Sequence, residues 1–146
     1  MFSGGETMTS VRWAVDTSVA VAALDSVHAA HLPCREIVRA RRPALAGHAA
    51  FETFSVLTRM PGSLAVDGPT AAAIIQRVFP EVVWPEDRPV ANLRSQLGPL
   101  GIVGGAVYDA LVATAASSRG CRLLTRDLRA RRVYDLLGLD YELVGP

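Results

Sequence analysis

Short apolar runs alternate with longer helical segments along nearly the whole chain, and that alternation limits the possible folds more than any other feature. Val11 to Val15, rich in β-branched and aromatic residues, reads as a buried strand ending at Asp16. Thr17 to Leu24 and Pro33 to Arg42 read as helices. The second has Ile37 and Val38 inside and Arg35, Arg39, Arg41 and Arg42 outside, and Pro43 stops it. Ala44 to Gly47 reads as a second strand, followed by a helix from His48 to Met60 that Pro61-Gly62 ends. Asp67-Gly68-Pro69 can cap a helix over Thr70 to Phe79, and Glu81 to Trp84 reads as strand three. A helix over Asp87 to Leu97, a loop over Gly101 to Gly105 and a helix over Ala106 to Ser118 capped by Gly120 come next. A strand over Arg122 to Thr125, a helix over Leu128 to Leu137 and a strand over Tyr141 to Val144 complete the series. Such a pattern predicts an α/β fold with a central, mostly parallel sheet of four to five strands flanked by helices. The 146 residues, 50% hydrophobic, suffice for a single domain over 11–146, with 1–10 a disordered leader and Met8 an alternative start.

All 15 basic residues are arginine, so the chain has no lysine. That excludes Schiff-base catalysis, the phosphate-binding loop of nucleotidases, and phosphoacceptor sites that hold a lysine beside their aspartate. A net charge of +1 argues against a partner held by the field of the whole molecule, so a nucleic acid would need a local basic patch. Cys34 and Cys121 show no CxxC or His/Cys ligand spacing and read as reduced cysteines of a cytoplasmic protein. The longest charge-free stretch, Ser95 to Tyr108, is too short to span a membrane, and MFSGGETMTS lacks the basic start and apolar run of a secretory signal.

Interest therefore centres on the carboxylates. Asp16 is the only charged residue between Trp13 and Leu24, Glu52 between Pro43 and Thr58, and Asp109 between Ser95 and Ser118. A carboxylate in such surroundings costs free energy unless something compensates it. At helical spacing Asp109 neighbours Gly105, Ala106, Val112 and Ala113, a small apolar face that packs against other structure and leaves room beside the carboxylate. Asp16 follows the first strand and Asp127 follows Leu123-Leu124-Thr125; in an open parallel sheet, ligands gather beyond the carboxyl ends of the strands. Helices packed over that edge can supply Glu52 and Asp109. Four carboxylates in one crevice raise one another's pKa unless a divalent cation neutralises them, and oxygen-only ligation favours Mg²⁺ or Mn²⁺. Singly, Asp16 and Asp127 serve equally well as helix N-caps and Glu52 as a solvated helix residue. Their conjunction favours one site. His28, His31 and His48 show no metal spacing, and no GxSxG elbow is present.

The segments VRWAVDTSVAVAAL, GHAAFETFSVLTRM, GGAVYDALVATAASSRGCRLLTRD and YDLLGLDYELV resemble, in order and spacing, the PIN domain, and more narrowly a VapC-type toxin of a bacterial toxin–antitoxin pair. The resemblance covers Val11 to Val144. It implies a three-layer PIN-like fold and an endoribonuclease that hydrolyses RNA with Mg²⁺ or Mn²⁺ through metal-activated water. The family's acidic quartet falls on Asp16, Glu52, Asp109 and Asp127, with Asp16 and Asp109 the primary metal ligands, Glu52 and Asp127 secondary, and Ser18 or Thr125 the accompanying polar residue. It also implies a homodimer silenced by a VapB-type antitoxin. Arg119, Arg122, Arg126, Arg129, Arg131 and Arg132 crowd beside Asp127, and Arg126 and Arg129 are the foremost candidates for RNA contacts. Arg131 and Arg132 are equally well explained as a solvated face. Dimer contacts are expected on Ala71 to Ile75 or Ala106 to Ala116, and antitoxin contacts on the helices around Val19 to Leu24 and Cys34 to Val38. Two rival readings are a catalytically inactive PIN-like module that binds RNA or protein, and a metal-dependent phosphatase. AVDTSV resembles a nucleophilic-aspartate loop, but the missing lysine and Ser18 in place of a second Asp stand against the phosphatase.

Overall fold

The computed structural model describes residues 11–145, so the expected leader and alternative start lie outside it. The elements run β1 (Arg12–Val15), α1 (Thr17–Leu24), α2 (His31–Arg41), β2 (Ala44–Ala46), α3 (Ala49–Thr58), α4 (Gly68–Val78), β3 (Val82–Val83), α5 (Asp87–Gln96), α6 (Ala106–Ser118), β4 (Cys121–Thr125), α7 (Arg131–Leu136) and β5 (Tyr141–Leu143). All five strands are parallel, in the order β3-β2-β1-β4-β5. The chain builds outward from β1 to β3 on one side, then returns over the sheet to add β4 and β5 on the other. The direction of winding reverses between β1 and β4, paired through Val15 and Leu124, and a crevice opens beyond their carboxyl ends.

Side chains alternate between the two faces, as strands with a period of two require. Val15, Leu45 and Leu124 face one layer, packing with Val19, Cys34, Leu57, Ile75 and Phe79 from α1 to α4 and the segment after them. Ala14, Ala44, Ala46 and Leu123 face the other, against Val112, Ala113, Ala115 and Ala116 of α6 and Tyr134 of α7. Alanine on both sides of that second seam lets helix and sheet approach closely. Gly47, just past β2, has φ +48°, and a Cβ there would meet the Ala115 Cβ at 3.0 Å. Helix α5 closes a third cluster outside α6 through Leu93, Ile102, Ala110 and Val133.

Several sequence expectations need adjusting. Helix α2 begins at His31, so Pro33 sits within its first turn, where a missing N–H costs nothing. Strand β3 is only Val82–Val83, and α7 starts at Arg131 instead of Leu128 because the Asp127 carboxylate accepts the Arg129 and Ala130 N–H groups and holds a turn there. Arg41 is not simply outside: its guanidinium lies 4.1 Å from the Trp13 ring and 3.0 Å from Glu142. The apolar surfaces expected to meet partners are largely used within the chain. Val19 to Ala23, Cys34, Val38, Ala71, Ile75, Ala110, Val112, Ala113, Ala115 and Ala116 are all buried in its own core. No helix among the described residues is long and apolar enough to cross a membrane.

Candidate active site

Asp16 ends β1 and caps α1. The sharp passage from strand to helix leaves the first N–H groups of α1 without partners, and Asp16 Oδ1 accepts one of them, from Val19, at 3.3 Å. The N-cap use and a place in a shared site therefore coexist in one residue. The carboxylate is 4% exposed and fully engaged: Oδ1 also accepts the Ser18 hydroxyl at 2.5 Å, and Oδ2 accepts the Thr125 hydroxyl and the Tyr134 hydroxyl, the latter at 2.9 Å. Burial pushes its pKa up, and these donors, which favour the ionised form, offset that only in part. Ser18 and Thr125 also bind the β4–α7 loop, accepting the Arg126 and Asp127 N–H groups at 2.8 and 3.0 Å. Each of the two candidate polar residues thus ties Asp16 to the segment that carries Asp127.

Glu52 lies in the first turn of α3, and its Oε1 accepts the Thr17 hydroxyl at 2.6 Å. Asp109 lies in the first turn of α6, which descends across the sheet from that same edge. Its pKa is pushed up to about 6, by burial first and then by the charges of Asp127, Asp16 and Glu52, with Arg129 pulling the other way. All four carboxylates line a single hollow of about 210 Å³, together with Thr17, Ser18, Val112 and Tyr134. A larger groove of about 790 Å³ lies between α1, α2 and α4, but its lining, Arg35, Arg39, Arg42 and Arg77 among it, includes one carboxylate, Glu81. The smaller hollow is where the titratable groups converge and perturb one another. Among the described residues, no three His, Cys, Asp or Glu side chains stand close enough to enclose a metal ion by themselves. Asp16 and Glu52 are held by hydroxyl donors, and Asp127 by backbone N–H groups.

The arginine run does not form one stripe. Arg119 and Arg122 precede or open β4, whereas Arg126 and Arg129 follow its carboxyl end. Arg122 pairs with Asp140 at 3.0 Å and Glu142 at 3.6 Å, and Arg131 donates to the Tyr141 hydroxyl at 3.3 Å. The Arg126 guanidinium donates to the Val144 carbonyl at 3.1 Å, while exposed Arg129 is the cation whose charge Asp109 feels.

Two site residues escaped the sequence reading, Thr17 and Tyr134. Thr17 follows Asp16 directly and reads as the first residue of a helix. Tyr134 is 1% exposed and 118 residues from Asp16 along the chain, so no local pattern connects them.

The PIN domain family model matches residues 14–136. Over 126 residues, 86% of this chain and 92% of the relative, the sequence is 42% identical to "Ribonuclease VapC27" of Mycobacterium tuberculosis (strain ATCC 25618 / H37Rv). Over 134 residues, 90% of this chain and 98% of the relative, it is 39% identical to "Ribonuclease VapC40" of Mycobacterium tuberculosis (strain CDC 1551 / Oshkosh).

Proposed function

This chain belongs to the PIN domain family, and on that premise we propose that it is a VapC-type toxin: an endoribonuclease that hydrolyses RNA phosphodiester bonds with Mg²⁺ or Mn²⁺. The observation that carries this reading is the convergence of Asp16, Glu52, Asp109 and Asp127, from four separate places in the chain, on one hollow at the reversal point of a parallel sheet. The ribonuclease names of both relatives support the reaction, and their VapC designation supports a VapB-type antitoxin as partner. A homodimer follows from the family resemblance.

The donor set suits a small hard cation. Mg²⁺ characteristically takes one or two carboxylates and leaves its remaining positions to water and substrate phosphate, so three converging protein ligands are not required. Asp16 and Asp109 would hold the ion, with Glu52 and Asp127 beside them. Burial first, and then the charges of Asp127, Asp16 and Glu52, raise the Asp109 pKa, so a cation in the hollow would favour its ionised form. When bound, the ion would neutralise that charge, acidify a water molecule and offset charge gathering on the phosphoryl oxygens.

The protein's own residues have separable parts. Ser18, Thr125 and Tyr134 fix the Asp16 carboxylate from three sides, and Thr17 fixes Glu52, so neither has to be oriented when substrate arrives. Glu52 and Asp127 are partly exposed in the hollow and can orient the attacking water and accept its proton. Arg129 can meet a phosphate oxygen at the mouth, whereas Arg126 would have to leave the Val144 carbonyl to do so.

Incubation with RNA in Mg²⁺ or Mn²⁺, with and without EDTA, tests this directly. Cleavage should require the cation and fall by at least about a hundredfold in Asp16→Asn and Asp109→Asn, the size that loss of one electrostatic element produces. Cleavage that survives EDTA, or both substitutions, would refute the site assignment. Retained RNA binding without fragments under any metal condition would point to a binding module instead. Expression in a bacterial host should arrest growth, and co-expression of a cognate antitoxin should relieve the arrest.

A further inference from the structure

Four donors converge on the Asp16 carboxylate, and an ionised carboxylate has about four lone-pair sites to offer. Oδ1 accepts the Val19 N–H at 3.3 Å and the Ser18 hydroxyl at 2.5 Å, while Oδ2 accepts the Thr125 hydroxyl and, at 2.9 Å, the Tyr134 hydroxyl. Asp16 is therefore saturated before any cation arrives. An ion that binds it has to take the place of one donor, and the four are not equally able to leave. The Val19 N–H belongs to the backbone of the first turn of α1. The Ser18 hydroxyl also accepts the Arg126 N–H at 2.8 Å, and the Thr125 hydroxyl accepts the Asp127 N–H at 3.0 Å, so the loop after β4 holds each of them from its other side. Tyr134 differs. Among the described residues its hydroxyl has a single hydrogen-bond partner, Asp16, and of the two donors to Oδ2 it is the one that lines the hollow. Its ring is 1% exposed and packs beside Tyr141 with centroids 5.7 Å apart. The O–H can turn about its C–O bond while the ring stays in place.

We propose that the Tyr134 hydroxyl is a built-in competitor of the cation: it fills the Oδ2 lone pair on the side of the hollow, and the ion binds in exchange for this one bond. This rests on the metal-dependent reading of the hollow and deepens it by naming the residue that sets the cation affinity. A buried carboxylate that loses a donor without gaining a cation is left poorly compensated, so the hydroxyl stabilises the ion-free protein. Because the bond is given up on loading, it weakens the hold on the ion to the same extent. Ser18 and Thr125, retained throughout, keep the carboxylate aimed. A donor that only aimed Asp16 would act in the opposite sense, since its removal would loosen the ion.

The test titrates Mn²⁺ into the full chain by calorimetry, unaltered and as Tyr134→Phe, which deletes one oxygen and keeps the ring. Tyr134→Phe should bind Mn²⁺ about tenfold more tightly, the equivalent of one hydrogen bond to a charged group. Thermal melts close the cycle, because the substitution should lower Tm in EDTA and lower it less in saturating Mn²⁺. Equal affinity, with Tm lowered alike in both conditions, assigns Tyr134 to packing and overturns the proposal. Weaker binding assigns it to aiming Asp16 and overturns the proposal too, as does a lack of Mn²⁺ binding by both proteins. A measurement on the unaltered protein does not depend on how the variant folds. Adding Mg²⁺ should move the tyrosine ultraviolet absorption to shorter wavelength as the phenol gives up its carboxylate acceptor, and Asp16→Asn should show no such move; its absence from the unaltered protein overturns the competitor. The two readings fail separately: tighter Mn²⁺ binding by Tyr134→Phe without metal-dependent RNA cleavage sinks the nuclease, and metal-dependent cleavage with no gain in affinity sinks only the competitor.

Discussion

Asp109 shows how a single carboxyl reports on its neighbours. Its pKa near 6 stands well above the ordinary 3.8 because burial and three other carboxylates disfavour the ionised form. A group whose pKa is raised on folding adds stability that is complete below its unfolded pKa and disappears as pH climbs through the folded one. In EDTA, the unaltered protein and Asp109→Asn should therefore be most alike in stability near pH 4, and Asp109→Asn should become the more stable of the two as pH rises to 7. Denaturant unfolding at pH 4, 5, 6 and 7 measures it, and an advantage of Asp109→Asn that fails to grow with pH would contradict the charge crowding. Asp16 and Asp109 were readable in the sequence because each is alone in an apolar stretch. Tyr134 and Thr17 were not, because a hydroxyl in a short helix acquires its meaning only when distant chain folds against it. Ser18 and Thr125, alternatives on the sequence alone, both donate to the same carboxylate, one to each oxygen.

At the level of elements, the alternation of apolar runs and helices located all five strands, since a parallel strand buried on both faces is a continuous apolar run. Edges were less legible. Asp127 promised a helix starting at Leu128, but its carboxylate spends its acceptor capacity on a turn first, and nothing in composition separates a capped helix from a turn followed by one. The seam between β2 and α6 carries the sharpest prediction at this scale. Gly47 combines a left-handed φ with a 3.0 Å approach to Ala115, so Gly47→Ala should cost about 1–3 kcal/mol through strain and a displaced α6. Because Asp109 rides on that helix, activity at subsaturating cation should fall as well. Chemical denaturation and a cation titration would show both effects, and a neutral substitution would mean the seam has slack.

For the whole molecule, the sheet order makes a binding crevice obligatory but leaves its contents open. The carboxylates fill that opening with like charge, and folding proceeds against their repulsion. A divalent cation that binds the folded hollow and not the unfolded chain should raise stability by about 2.7 kcal/mol at a hundred times its dissociation constant. For a chain of this size that corresponds to about 5–10 °C in Tm. Thermal melts in Mg²⁺ or Mn²⁺ should show the rise, and Asp16→Asn with Asp109→Asn should abolish it. The overall sequence charge of +1 gave no hint of this, because the acids of the hollow are balanced in the total by arginines elsewhere, such as exposed Arg39 and Arg94.

The threefold clasp on Asp16 also has a consequence in time. Ser18 is made almost at once, but Thr125 and Tyr134 are joined to the chain 109 and 118 residues after Asp16. A nascent polypeptide still threaded through the ribosome has the first acid and neither of its later partners, and it lacks Asp127 as well. Whatever this hollow does to RNA, it cannot begin on the message or the machinery producing it until Thr125, Asp127 and Tyr134 have been made and have left the ribosome.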